Sequence, residues 1–191
     1  MPRRTRSFEP GGVYHITARG NRKQAIYLTE GDYELFRMLL GQIAIRLKWQ
    51  CAAYCLMPNH YHLVTEIREE NLSAGLQILN SRYAQAFNSR YQLSGHLFQG
   101  RFHAVMVESE GHLLELSRYL ALNPVRAGLC THAENWRWGS YRAIAGLGPW
   151  PIFLDAERVL EFWGSDPQRA CRTFQRFVHE GHTPTLAKVA V

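Results

Sequence analysis

The sequence predicts an α+β fold: a ferredoxin-like antiparallel sheet with helices packed on it, plus short C-terminal helices. Two observations carry that expectation. Hydrophobic periodicity switches between period two and helical spacing in the order β-α-β-β-α-β-α. The first six of these segments match the split βαβ order, an antiparallel sheet with its helices on one face. A chain of 191 residues, 46% hydrophobic and 12% aromatic, is also long enough to enclose one core.

The first strand is VYHITARGN, Val13 to Asn21, rich in β-branched and aromatic residues and closed by Gly20-Asn21 as a turn. In TEGDYELFRMLLGQIAIRLK, Phe36, Leu39, Leu40, Ile43 and Leu47 recur at helical spacing, and Thr29 and Asp32 stand where a capping box would. WQCAAYCLM and HYHLVTEI read as two strands joined through Pro58-Asn59, since proline cannot donate to a ladder and belongs in the turn. In NLSAGLQILNSRYAQAFNSRYQLSG, Leu72, Leu76, Leu79, Tyr83, Phe87 and Tyr91 share a helix face, with Asn71 as expected cap and Gly95 as expected stop. HLFQGRFHAVMVE reads as a strand interrupted at Gly100. A helix from Ser109 to Leu122 is expected to end at Asn123, because a residue before proline disfavours the α region. Beyond NWRWGSYRA, GLGPWP breaks the pattern, and two amphipathic helices follow at roughly 155–163 and 166–179, the second opened by Asp166-Pro167. The last ten residues are expected to fray. The chain is thus divided into a principal domain over 1–145 and a C-terminal helical extension with its tail over 146–191.

Composition narrows the function. No apolar run approaches the ~20 residues needed to span a bilayer, and MPRRTRSFEPGG has no apolar segment behind its charges, so a cytoplasmic location is expected. The four cysteines form no CxxC pair, and reduced thiols are expected. Lys and Arg number 22 against 16 Asp and Glu, giving a net charge of +6. The isoelectric point near 9.4 points to an anionic partner, of which nucleic acid is the commonest.

Two patterns carry chemistry. In LMPNHYHLVTEI, strand alternation sends His60 and His62 to one face and Tyr61 to the other. Two imidazoles so placed can reach one divalent ion, although a solvated polar face has the same pattern. In GHLLELSRYLALN, Leu113, Leu116 and Leu120 form a buried stripe, flanked by a polar stripe of His112, Glu115, Tyr119 and Asn123. An amide oxygen is an acceptable ligand for a hard cation, and a phenol one turn away would stand beside that ion. A half-buried aromatic and a helix-ending asparagine have the same spacing. A structural zinc site of Cys51, Cys55 and the two histidines is a further reading, because Cys-x₃-Cys on a regular strand puts both thiols on one face.

MPNHYHLV, GHLFQGRFHAVMV and SRYLALNPVRAGL, with YHITARGN before them and NWRWGSY after, together resemble the REP-associated tyrosine transposases. That family lies within the single-tyrosine insertion-sequence transposases that carry a His-hydrophobic-His motif. The resemblance covers about residues 8 to 142. It implies cleavage and joining of single-stranded DNA at hairpin-forming repetitive extragenic sequences through a 5′-phosphotyrosine. It also implies His60 and His62 as metal ligands, Tyr119 as nucleophile and Asn123 as a third polar ligand, where the wider group often has glutamine. Tyr61 departs mildly from the plain hydrophobe usual between the histidines. The implied cofactor is Mg²⁺ or Mn²⁺, with Mn²⁺ expected to serve at least as well because it accepts nitrogen more readily. Glu66, on the histidine face by parity, is a candidate to hold a ligand from behind.

For DNA contacts the candidates are the basic arm Arg3, Arg4 and Arg6, the turn residues Arg19, Arg22 and Lys23, and Arg82, Arg101 and Arg126. Arg90 lies off its helix's apolar stripe as Arg82 does, and Trp136 and Trp138 are expected to pack in the core rather than stack on bases. The expected partner is single-stranded or hairpin DNA, with monomer and homodimer both open. A catalytically idle hairpin-binding protein on the same fold is the alternative function.

Overall fold

The structure, a computed structural model, describes residues 7–181. Arg3, Arg4 and Arg6 and the ten C-terminal residues lie outside the described residues.

Four strands form one antiparallel sheet: β1 (Val13–Arg19), β2 (Gln50–Met57), β3 (His60–Glu66) and β4 (His103–Met106), ordered β2-β3-β1-β4. Helices α1 (Glu30–Arg46) and α2 (Leu72–Tyr91) make the two crossovers, so the first six elements have the expected ferredoxin-like arrangement. Directly paired residues of antiparallel strands share a face. Thr17 opposite His62 and Arg19 opposite His60 thus define one face, and Ile16 opposite Leu63 and Ala18 opposite Tyr61 the other. The second face is apolar because α1 and α2 cover it: Phe36 of α1 meets Tyr61 with ring centroids 4.8 Å apart. A third helix, α3 (Glu110–Arg126), lies across the first face against β2. The helices of the split βαβ unit therefore share one face, and the added helix takes the other.

Two boundaries and one capping side chain depart from expectation. Helix α2 stops at Tyr91, with Gln92 left-handed at φ 54°, so the chain turns before Gly95. Asn71 sits at its N-cap but spends its carboxamide elsewhere: Oδ1 accepts from the Trp49 indole at 2.7 Å and Nδ2 donates to the Leu47 carbonyl at 3.3 Å. Helix α3 runs through Pro124 to Arg126. Proline deprives the helix of one N–H only, and the next turn still closes, Ala127 N donating to the Asn123 carbonyl at 3.0 Å. Burial of Leu120, Leu122 and Pro124 offsets the lost bond.

The segment after Ala145 packs into the same core. Leu154 bridges Cys51 on the edge of β2, and Asp155 N donates to the Cys51 carbonyl at 2.8 Å. Helix α4 (Tyr141–Ile144) precedes this segment, while α5 (Glu157–Leu160) and α6 (Pro167–Glu180) lie within it and both pack on α3. Tyr141 faces Phe174 with centroids 5.9 Å apart. Trp138 stacks on Tyr33 at 4.6 Å, and the Trp136 indole donates to the Leu56 carbonyl at 3.2 Å, so both tryptophans serve the interior.

One buried charge locks α1 to α2. Asp32, 1% exposed, accepts from Leu28 N at 2.8 Å, Thr29 N at 2.9 Å, the Tyr91 hydroxyl at 2.7 Å and Arg90 Nη1 at 2.6 Å. Burial alone would raise its carboxyl pKa, but the bonds from Tyr91, Leu28, Thr29 and Arg90 outweigh burial and hold it below the usual value. Asp32→Ala is expected to cost about 3 kcal/mol in chemical denaturation, because two helix-start N–H groups and Arg90 lose their acceptor. A depressed folded-state pKa makes this contribution present above the unfolded value near 4 and lost as pH falls through the folded one. The wild-type advantage over the alanine variant should accordingly shrink in acid.

Candidate active site

Strand β3 delivers the two sequence-predicted histidines to one face, beneath α3. His62 is 3% exposed, and its ring lies edge-on to that of His60 at 4.9 Å. From the next strand His15 stacks on His62 at 5.2 Å, with its Nε2 2.9 Å from His62 Nδ1. Sequence reasoning missed His15. Its signal was the alternation of VYHITAR, which puts His15, Thr17 and Arg19 on one face, but only the β1–β3 register sets that face beside the histidine pair.

Helix α3 supplies the other half. The Tyr119 ring meets His62 edge-on with centroids 5.7 Å apart, within one chain. Asn123 stands one turn further along α3, and its Nδ2 is buried without a partner, as is His62 Nε2. Unpartnered buried polar atoms are costly; of these two, His62 Nε2 can offer a lone pair to an ion, whereas Asn123 Nδ2 is a donor and cannot. The two imidazoles fit a divalent cation with open positions, and the Asn123 amide would join them only through its Oδ1. The donor set is no all-protein cage: among the described residues no three His, Cys, Asp or Glu side chains converge to hold a metal.

The electrostatics suit ligation. Burial, reinforced by Arg19, lowers His60 to about 4. Burial, with His103 and His112 adding to it, lowers His15 to about 4. Burial and then His60, His15 and Arg19 push His62 well below the ordinary histidine value. All three rings are therefore neutral at pH 7, the form that carries a ligating lone pair. Tyr119 is raised by burial, while Arg126 and Arg19 pull it back.

The other candidates divide. Gln99 N donates to the Arg19 carbonyl at 2.9 Å, so Arg101 follows close by, and Arg19, Arg22, Lys23 and Arg101 gather where β1 ends and β3 begins, beside His60. Arg126 ends α3, its Nη2 3.2 Å from the Gly181 carbonyl. Arg82 is exposed on α2, in the layer behind the sheet, and Arg90 is engaged by Asp32. Glu66 shares the histidine face but lies at the far end of β3, with Arg68 3.5 Å away, and the structure does not bring it to the ligands. Tyr61 points the other way, 1% exposed and donating to Asn80 Oδ1 at 2.9 Å. The zinc reading fails: a bulge at Ala52 sets Cys51 opposite Thr65 and Cys55 opposite His62, so the thiols leave the strand on opposite faces. Burial also pushes Cys51 up to about 12.

The family model described as "Transposase IS200 like" matches residues 11–123, a span that contains His15, His60, His62, Tyr119 and Asn123. The chain belongs to that family. A Haemophilus influenzae protein named as a REP-associated tyrosine transposase is 25% identical to this chain over 174 residues, which is 85% of this chain and 93% of the relative. Among solved structures, a REP-associated tyrosine transposase bound to a REP hairpin superposes with a TM-score of 0.63 at 18% identity, covering 80% of this chain and 90% of that one. The latter likeness establishes the shared fold. Among the described residues no helix is long and apolar enough to cross a membrane.

Proposed function

We propose that this protein is a metal-dependent single-stranded DNA endonuclease and transposase that cleaves and rejoins hairpin-forming repetitive extragenic sequences through a 5′-phosphotyrosine at Tyr119. The observation that carries the reading is the contact of Tyr119 with His62, whose buried Nε2 lacks a partner. The name of the H. influenzae relative and the hairpin bound to the solved transposase supply the choice of DNA.

In this reading His60, His62 and the Asn123 amide oxygen would hold Mg²⁺ or Mn²⁺, which would polarise the scissile phosphate and offset its developing charge. Tyr119 Oη loses its proton and forms a bond to phosphorus, while the bond from phosphorus to the 3′ oxygen breaks and that oxygen leaves as a hydroxyl. Attack by a 3′ hydroxyl on the tyrosyl phosphate reverses the step without an energy source. Arg19 and Arg126 both favour the charged phenolate, and Arg22, Lys23 and Arg101 extend the cationic surface along the strand. Chemistry is assigned to residues 1–145, and 146–181 support α3 from behind. Incubation with a host-genome hairpin repeat and Mn²⁺, read on a denaturing gel, tests the proposal: a protein-linked 5′ end supports it, and binding with no cleavage leaves the idle hairpin binder.

Binding should weaken about 10³-fold between 50 and 200 mM salt, since phosphate contacts release counterions. Deleting Met1 to Arg6 should weaken hairpin affinity about tenfold while leaving the melting temperature in place. Equal affinities with and without the arm in a salt titration would remove its assigned role.

A further inference from the structure

His60 follows directly on the Pro58-Asn59 turn, and the neighbouring side chain decides which of its ring nitrogens is free. Asn59 Nδ2 lies 3.0 Å from the Lys23 carbonyl oxygen. A carbonyl only accepts, so the amino end of the amide faces Lys23. Asn59 Oδ1 is thereby turned toward His60, 2.7 Å from Nδ1. An amide oxygen also only accepts, so His60 Nδ1 carries the proton and the lone pair of the neutral ring is left on Nε2. His62 has no such constraint, because its Nδ1 faces another imidazole and either ring can donate.

The turn that holds Asn59 is itself fixed. Its carbonyl accepts from Gly20 N at 2.8 Å, and the Pro58 carbonyl accepts from Ile26 N at 2.8 Å. Gly20 is required there, since a Cβ would run into the Gln24 carbonyl. Arg22 and Lys23 between these anchors are left-handed, at φ 53° and 61°. The basic turn and His60 are therefore joined through one carboxamide.

We infer that Asn59 is a positioning residue: clamped on the Lys23 carbonyl, its amide holds His60 as the Nδ1–H tautomer and presents the Nε2 lone pair to the site. Its purpose rests on the nuclease reading above, whereas the tautomer is a property of the protein without metal or DNA. Partners behind a metal-binding imidazole select its tautomer in this way and tune its affinity.

The test uses the full-length, metal-free chain labelled with ¹⁵N at histidine, at pH 7. Long-range ¹H–¹⁵N correlation, with His60→Gln for assignment, should show His60 protonated at Nδ1. In Asn59→Ala the ring should move toward the Nε2–H form, and Mn²⁺ affinity by water-proton relaxation should fall ~10- to 100-fold. Asn59→Asp keeps an acceptor opposite Nδ1 and should retain the wild-type tautomer. A wild-type His60 protonated at Nε2 overturns the inference whether or not any variant folds, and so does an unchanged tautomer in Asn59→Ala. A wild-type Nδ1–H tautomer that Asn59→Ala abolishes, with no Mn²⁺ bound by either protein, would uphold the hold of Asn59 on His60 and remove the metal-dependent reading.

Discussion

Tyr119→Phe is expected to abolish cleavage and the covalent DNA adduct, a loss of at least ~10³-fold or about 4 kcal/mol of barrier. The substitution removes one oxygen and keeps the ring, so the edge-on packing against His62 survives and stability should change little. Hairpin binding depends on cations elsewhere and should persist. No second phenol can take over on this face, because Tyr61 is buried behind the sheet with its hydroxyl committed to Asn80. Mass spectrometry of the trapped adduct gives the clearest readout. A modified peptide containing Tyr61, or an active Tyr119→Phe protein, would sink the mechanism.

His60→Ala and His62→Ala are expected to lose Mn²⁺- or Mg²⁺-dependent cleavage by ~10²-fold or more, while both proteins keep their circular dichroism and bind hairpin DNA. The two should differ in stability. His62 is nearly inaccessible and its loss strands His15 Nε2, so that variant should be the less stable, by roughly 1–2 kcal/mol. His60, part-exposed at the strand start, should be nearly neutral for folding. Cleavage at the wild-type rate in both variants would remove the metal assignment.

Much of this was legible before any coordinates, for identifiable reasons. Strand parity is local and strict, so it separated His60 and His62 from Tyr61 correctly. Helical spacing likewise put Tyr119 and Asn123 on one stripe, and α3 does turn Tyr119 to His62. Parity fails where the strand is irregular: the bulge at Ala52 inserts one residue and sends Cys51 and Cys55 to opposite faces. The helix ends were misplaced where tertiary packing overrode a local rule, at Pro124 and at Gln92. His15 and the Asn59–Lys23 clamp were invisible because each depends on pairing between segments distant in the chain. Asn71 does stand at the N-cap that its spacing predicts, but its side chain accepts from a tryptophan 22 residues away.

The contact between Tyr119 and His62 within one chain has a kinetic consequence. A pocket assembled from two subunits disappears on dilution, because its formation carries an association cost that grows as concentration falls. Here the two halves are tied by the covalent path from β3 to α3 and by the packing of α5 and α6 behind that helix. In the function proposed above, a pocket built this way has unit molecularity. Cleavage per chain is expected to stay constant on dilution, which a dilution series of the cleavage assay checks. A single tyrosine nucleophile in each such pocket would retain one DNA end at a time, so that the end to be joined would arrive as a free hydroxyl.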